Sequence, residues 1–451
     1  MMDSARAAAL AALLHVDVNE GYSNIVLDKT LASFSLETRD KALASAIFYG
    51  VLERRITLDY FISRFSKMPL KKLSPQVLEI LRMGAYQILY LEKIPKSAAV
   101  NESVILAKKN NAVKASGFIN AVLRSLIRNL ENLKIPDAEK DPLLSLSIQY
   151  SCPQWLITLW QKSYGEECTL RLLESTFSKP PVFSRTNNIC ISEENLIEKL
   201  NMEGVKAIPI TWIDQAVELQ QTGAIGQSES YREGLFHIQD LSSQLCCFLF
   251  HPLPGERVID VCSAPGGKAF TMAELMENKG ELLAFDKYKG KVNLIRQGAQ
   301  RLKLSVISAA VRDASAAEDG LAPADKVLCD VPCSGLGIIR RKPEIKYKLP
   351  SAIDSLPDLQ YLILCKSSKL VKTNGTLFYS TCTLNPKENG EVAERFLRNN
   401  HDFEPLPLNL PDQVCHAVEG EPENQLTLMP HVHGTDGFFI AAFRRKQEWM
   451  S

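Results

Sequence analysis

The sequence predicts a multidomain chain: an all-α bundle, a small α+β module, and an α/β domain in which strands and helices alternate. Three observations carry that reading. Apolar residues recur at helical spacing through the first third, as at Leu78, Leu81, Ala85, Ile88 and Leu89. A stretch rich in proline and charge, Ile135 to Pro153, then interrupts the pattern. From His237 onward short β-prone runs alternate with helical ones, the signature of a largely parallel sheet covered by helices on both faces. A chain of 451 residues has room for about two to four domains.

The bundle opens with the apolar run Ala7 to Leu14, which charge soon interrupts, so it reads as an amphipathic helix and not as a signal peptide. Gly84 and Pro95 punctuate the helices, and Ser97 is an expected N-cap. Within residues 51–134 fifteen Lys and Arg stand against six Asp and Glu, a surplus of nine that favours a polyanion partner. The whole chain hides this, with 52 basic and 52 acidic residues. The small module combines a helix at Trp155 to Leu173, an extended piece at Pro180 to Ile191 and a second helix at Glu193 to Met202. In the α/β domain, strands are expected at 257–261, 281–285, 305–310, 326–329, 376–380 and 438–443, and helices at 268–277, 289–302, 353–370 and 386–398. The expected boundaries are 1–140, 141–235 and 236–447.

With 45% hydrophobic and 23% charged residues the chain can bury a core, which excludes a disordered class. No apolar run approaches the roughly 18 residues of a membrane span. Eleven cysteines with no CxxC pair indicate neither a disulfide framework nor a zinc site. His431 and His433 lack matching ligand spacing, so no metal is expected. The expected compartment is a reducing cytoplasm, where thiols stay available as nucleophiles.

The run Asp260-Val261-Cys262-Ser263-Ala264-Pro265-Gly266-Gly267-Lys268 falls between a strand and a helix. Its glycines allow a tight turn and close backbone approach to a ligand, and the following helix directs N–H groups at a negative group. The dinucleotide and P-loop fingerprints are both absent. Acids mark four strand ends: Asp260, Asp286, Asp313 and Asp330. Singly, each reads as a cap or loop residue. Together they mark one crevice, with Asp286 placed to accept ribose hydroxyls, and the order suits S-adenosylmethionine.

Two cysteines follow neighbouring strands, in Asp330-Val331-Pro332-Cys333-Ser334-Gly335 and in Ser380-Thr381-Cys382-Thr383. Cys246, Cys247, Cys329 and Cys365 read instead as small apolar residues. Carbon 5 of a pyrimidine is a poor nucleophile, and thiolate attack on carbon 6 makes it an enamine-like carbon able to accept a methyl group. Free thiols titrate near about 8.5, so a cation or a strand-end environment has to favour the thiolate. Spacing alone does not rank the two sulfurs.

These runs, with Gly337-Ile338-Ile339-Arg340-Arg341-Lys342-Pro343 and Ser380-Thr381-Cys382-Thr383-Leu384-Asn385-Pro386-Lys387-Glu388-Asn389-Gly390, resemble the Sun/Fmu (RsmB) family of 5-methylcytosine RNA methyltransferases. Gly84-Ala85-Tyr86-Gln87, Ile94-Pro95, Asn101-Glu102-Ser103-Val104 and the segment Gly117 to Arg124 resemble its NusB-type N-terminal domain. Phe236, Gln239 and Asp240 lead into the catalytic domain and Asp436-Gly437-Phe438-Phe439 closes it, so the resemblance covers essentially the whole chain. It implies a NusB-like RNA-binding bundle, an RNA-contacting α+β module and a class I, Rossmann-like methyltransferase domain. The implied reaction is S-adenosylmethionine-dependent methylation of carbon 5 of a cytosine in 16S ribosomal RNA, with position 967 the expected target. By the same resemblance Cys382 attacks carbon 6, Cys333 assists release, and Asp330 contacts the cofactor or the ring edge of a flipped base. Cys262 to Lys268, Asp286, Asp313 and Asp330 then bind the cofactor. Ser263 stands where alanine is expected and Ala269 where Ser or Thr is common. Arg185-Thr186-Asn187 keeps the family's Arg-x-Asn.

The basic loop Arg340, Arg341, Lys342, Lys346 and Lys348 suggests contact with RNA phosphates, with Tyr347 stacking on an unpaired base. The target base has to leave any stack to meet both thiol and methyl donor. A monomer with ribosomal RNA as partner and no membrane is expected. The alternatives are transfer-RNA cytosine-5 methylation and a non-catalytic NusB-like assembly factor. A nicotinamide dehydrogenase lacks its glycine fingerprint.

Overall fold

The computed structural model describes residues 4–19, 23–223, 225–316 and 320–447. The fold divides into two compact units, one running through Ser178 and taking in Ile339–Lys348, the other made of Lys179–Ile338 and the chain from Leu349 onward.

The first unit is helical: α1 Ala5–Asn19, α2 Ser23–Ser33, α3 Thr38–Glu53, α4 Arg55–Phe65, α5 Pro75–Tyr90, α6 Lys96–Lys109, α7 Ser116–Arg128, α8 Pro142–Tyr150 and α9 Gln154–Ser175. Helix α7 shows why: Ile119, Val122, Leu123 and Leu126 recur on one face and are buried. Ser74 caps α5 by accepting from Val77 N, with Pro75 in the first turn, and Asp141 with Pro142 does the same for α8. Two expected punctuation marks are corrected. Gly84 lies inside α5, where an added Cβ would meet Leu123 at 2.6 Å, so it permits close helix packing and ends nothing. Ser97 lies inside α6, whose cap position is Pro95. Helices α8 and α9 stay with the bundle, since Thr57 Oγ1 donates to the Ile148 carbonyl and Ile56 N donates to Ser151 Oγ.

The segment Ile339–Lys348 corrects the reading of the basic loop. Lys346 is 2% exposed, and its Nζ donates to the Glu53 carbonyl at 2.7 Å. Tyr347 donates its hydroxyl to the Leu52 carbonyl at 2.7 Å. Both carbonyls lie in the last turn of α3, where no intrahelical partner exists and a cation is favoured. Glu344 accepts from Ser23 N. Lys346 and Tyr347 are therefore used inside the protein and do not present a charge or a ring to RNA.

The second unit begins with a four-stranded antiparallel sheet built from β1 Val182–Thr186, β2 Lys206–Pro209, β3 Ala216–Gln220 and β4 Phe236–Ile238, in the order β2-β3-β1-β4. Helix α10 Glu193–Met202 packs Leu196 and Leu200 on it, and the short α11 Glu229–Arg232 precedes β4. The larger sheet contains β5 Arg257–Asp260, β6 Glu281–Asp286, β7 Ile307–Val311, β8 Ala324–Asp330, β9 Val371–Thr381, β10 Phe403–Pro405, β11 Gln425–Leu428 and β12 Phe438–Arg445. Its order is β10-β12-β9-β8-β5-β6-β7, with β11 pairing β12. Strands β5 to β9 run parallel and β12 runs antiparallel to β9.

Alternation along each strand builds two core layers. Val258, Leu328, Phe378 and Ile440 face α12 Leu241–Phe250, α13 Gly267–Leu275 and α14 Lys289–Arg301. Ile259, Val327, Leu377 and Phe439 face α15 Leu356–Ser368 and α16 Gly390–Asn399. A final short helix, α17 Pro430–His433, precedes β12. The chain crosses from β7 back to β8 beside β5, so the order reverses between β5 and β8. That switch point is where α/β sheets bind ligands.

The small sheet is fastened within this unit by Arg185 and Asn187. Arg185 Nε donates to Glu274 Oε2 of α13 at 2.9 Å, with both side chains buried. Asn187 Nδ2 donates to the Leu302 and Gly234 carbonyls.

Two predictions follow from burial. Lys346 is pushed down to about 8 from 10.5 by burial. The unfolded chain thus binds more protons between those values, and the cost of the site lessens as pH rises through them. The stability of the parent relative to Lys346→Met should rise from about pH 8 to 10.5 in chemical denaturation, and a difference independent of pH would contradict the assignment. Arg185→Met leaves Glu274 without its cation and should cost about 3–5 kcal/mol in urea unfolding. Adding Glu274→Leu should recover most of that loss.

Candidate active site

Strand β5 ends in Asp260, and the chain then makes the glycine turn into α13. Ser263 N donates to the Phe285 carbonyl of β6 and Gly266 N to the Ser263 carbonyl, closing the turn beside the switch point. Gly266 has φ +113°, and a Cβ there would meet the Phe270 ring at 2.4 Å, so only glycine serves. Gly267 starts α13, whose first N–H groups have no intrahelical acceptor.

Lys268 lies in that first turn. Its Nζ donates to Asp330 Oδ2 at the end of β8 at 2.8 Å and lies over the Phe438 ring. Burial works against its charge, but Asp330 outweighs burial and holds the ammonium above its ordinary range. The second Asp330 oxygen accepts from Ser380 Oγ of β9 at 2.8 Å. Asp260 is fully buried. Its Oδ1 accepts from Cys262 N, and Oδ2 has no hydrogen-bond partner among the described residues. Burial, with the nearby Asp330 charge, pushes this carboxyl up to about 7. Burial also raises the Cys262 thiol far above its usual range, so it enters the turn as an uncharged side chain.

The other two acids lie on the far side of β5. Asp286, at the end of β6, is buried and accepts from Tyr288 N. Asp313, past β7, accepts from Ser315 N and Oγ and pairs with Lys287 at 2.9 Å. The Ser315 bonds, followed by Lys287, hold it down to about 2. Asp260, Lys268 and Asp330 thus form one linked group, whereas Asp286 and Asp313 each close a local turn along the same sheet edge.

The sulfurs of Cys333 and Cys382 are 3.3 Å apart. Strand pairing brings them there: Asp330 and Ser380 are register partners, and each cysteine lies two or three residues further on. Gly337 N donates to the Cys382 carbonyl at 3.0 Å, and Gly437 N donates to the Gly337 carbonyl at 2.9 Å. A Cβ on Gly337 would meet Gly437 O at 2.0 Å, so the loops cross at contact distance. The Cys382 sulfur, burial and the Glu388 carboxylate all raise the Cys333 thiol well above its usual range. The sequence motifs contain Ser380, Gly337 and Gly437 but assign them no role, and two glycines so far apart in sequence do not signal a crossing.

A parallel sheet with a reversed strand at one edge, a glycine turn at the switch point and acidic strand ends define an α/β methyltransferase domain, here carrying a cysteine pair. Family models match accordingly: 16S rRNA methyltransferase RsmB/F over residues 247–444, the NusB family over 3–128, and the RsmF/B-like ferredoxin-like domain over 152–226. The chain is 38% identical to the "Probable ribosomal RNA small subunit methyltransferase B" of Bacillus subtilis (strain 168), over 98% of this chain and 99% of that one. It is 35% identical to the protein of the same name from Synechocystis sp., over 98% and 100%. The crystal structure of PH0851 superposes with a TM-score of 0.83 at 26% identity, covering 98% of both chains. The chain belongs to the RsmB/F family of RNA methyltransferases.

The crossing of the two loops is testable without substrate. Gly337→Ala should lower the unfolding free energy by about 1–3 kcal/mol. Gly290→Ala, inside α14 with nothing within 4 Å of the added Cβ, should not lower it. Equal losses in the two variants would refute the close approach.

Proposed function

We propose that the protein transfers a methyl group from S-adenosylmethionine to carbon 5 of a cytosine in small-subunit ribosomal RNA, with position 967 the expected target. The observation that carries this reading is the 3.3 Å pair of cysteine sulfurs beside the Lys268–Asp330 ion pair. Methyl transfer to an already nucleophilic atom needs no thiol, whereas carbon 5 of a pyrimidine does.

The chain's residues fit the cofactor. The Gly266–Gly267 turn offers backbone with no side chain in the way, Asp286 offers a carboxylate for ribose hydroxyls, and the unpartnered Asp260 oxygen suits a cationic group. Cys262 to Lys268, Asp286, Asp313 and Asp330 line the cofactor side of this reading. S-adenosylmethionine, held there, supplies an electrophilic methyl group.

Cys382 attacks carbon 6 as the thiolate, and carbon 5 gains the electron pair that takes the methyl group. Asp330, fixed by Lys268 and Ser380, meets the polar edge of a cytosine out of its stack. Transfer of the carbon-5 proton to solvent water then lets the carbon 6–sulfur bond break, its electron pair returning to the Cys382 sulfur. Cys333 assists that release, its sulfur lying 3.3 Å from that of Cys382. Outside the catalytic domain, the basic bundle residues supply phosphate contacts.

Cys382→Ala should abolish methyl transfer and form no adduct. Cys333→Ala should accumulate a protein–RNA complex that survives a denaturing gel. Turnover by Cys382→Ala would sink the assigned nucleophile, and a bisulfite map of RNA from cells lacking the protein identifies the nucleotide and separates ribosomal from transfer RNA.

A further inference from the structure

One buried carboxylate stands apart from the groups used so far. Glu388 is 0% exposed and lies in a single turn of 3-10 helix, Pro386–Glu388, six residues after Cys382. Its Oε2 accepts from Ser334 N at 2.8 Å and from Gln360 Nε2 at 2.9 Å. Its Oε1 accepts from Asn385 Nδ2 at 2.9 Å. Three N–H donors converge on two oxygens, an arrangement that suits an ionised carboxylate and would set the hydrogen of a protonated one against a donor.

The donors come from separate parts of the site. Ser334 directly follows Cys333. Gln360 belongs to α15 and also donates to the Pro332 carbonyl at 2.9 Å, so it grips the residue on the other side of Cys333. Asn385 belongs to the loop that follows Cys382. Tyr379 of β9 donates its hydroxyl to the Glu388 carbonyl. Ser334 Oγ and Thr383 Oγ1 lie 2.6 Å apart, a second tie between the two cysteine loops.

We propose that Glu388 is a positioning residue that fixes the Cys333 loop against the Cys382 loop and holds its carboxylate near the Cys333 thiol. The inference rests on the reading of these cysteines given above. Its geometry needs no substrate: the carboxylate holds the Cys333 loop at Ser334 directly and at Pro332 through Gln360. Its charge acts on the same thiol. The titratable groups facing Cys333 are Cys382, Glu388 and Tyr379, and Glu388 adds to the upward push on Cys333 after the Cys382 sulfur and burial. A neutral amide at position 388 keeps the volume, removes the charge and sets an N–H against at least one donor. Asn385 cannot simply turn its amide to compensate, because its Oδ1 already accepts from Lys387 N.

The test is Glu388→Gln in the full chain. Turnover should fall at least about tenfold with the KM for RNA little changed, since the loss is of alignment and not of binding. In a Cys382→Ser background, alkylation of Cys333 by iodoacetamide, followed by mass spectrometry of its peptide, should reach its midpoint at lower pH once Glu388→Gln is added. A kcat within twofold of the parent, or an unmoved alkylation midpoint, overturns the proposal. Should Glu388→Gln not fold, Gln360→Leu removes the grip on Pro332 and keeps the carboxylate. It should lower kcat while leaving the midpoint in place, and an unchanged kcat overturns the proposal. The alkylation readout uses neither RNA nor methyl donor. A parent protein that methylates no RNA would therefore refute the functional reading, while the midpoint comparison still decides the role of Glu388.

Discussion

The site is organised by a partly buried ion pair between two elements that the chain brings together from 62 residues apart, Lys268 of α13 and Asp330 of β8. Removing both charges from water is costly, and their attraction repays that cost only when the remaining valences are also met. Here they are: Ser380 donates to the other Asp330 oxygen, and the Phe438 ring faces the ammonium. The pair therefore fixes α13 against β8 and, through Ser380, against β9. It also sets the charge of its surroundings. Two carboxylates, Asp260 and Asp330, lie near one lysine, and burial, with the Asp330 charge, pushes Asp260 up to about 7. A cationic ligand entering there would lower that value and gain affinity as pH rises.

Regular pairing carries this order into irregular segments. Strands β8 and β9 end together, so the loops that follow begin side by side, but side-by-side starts do not fix two sulfurs at 3.3 Å. Backbone contact at Gly337 and Gly437 does so from one side, and the Ser334–Thr383 hydroxyl pair from the other. The two thiols touch, so ionisation of one bears directly on the other.

The fold was legible where periodicity survives. Strands β5 to β9 and β12 and helices α10 and α14 lie within about five residues of their expected positions, because the strands are apolar runs bounded by charge and turns and the helices carry a regular apolar spacing. Helix α12 was not legible, since Leu241 to Phe250 is apolar on nearly every side and has no stripe to read. Strands β10 and β11, of three and four residues, are too short to show a period. In the site, residues with a motif stood out and those acting through contacts did not. Ser380 and Gln360 are common polar residues whose roles come from which loop the fold places beside them. The Arg-x-Asn of β1 was visible as a pattern, but only the fold gives it a cause, in the Glu274 carboxylate and the Leu302 carbonyl.

Charge shows the same limit in a sharper form. Two basic clusters looked alike in sequence, and burial separates them. In the segment after the Cys333 loop, Lys346 is spent on a carbonyl at the end of α3, where it neutralises a helix terminus and releases no counterion. In the bundle, Arg82 is likewise consumed by Asp59 and Glu79. Lys67, Lys71, Lys72, Lys108, Lys109, Lys114, Arg124 and Arg128 all remain exposed. A polyanion gains only from cations that still hold ions in solution, so the surplus of nine in residues 51–134 retains its meaning while Lys346 drops out of the basic loop. The chain's zero net charge is then the sum of a basic helical surface and an acidic remainder, and only the first has a physical reason to meet phosphate.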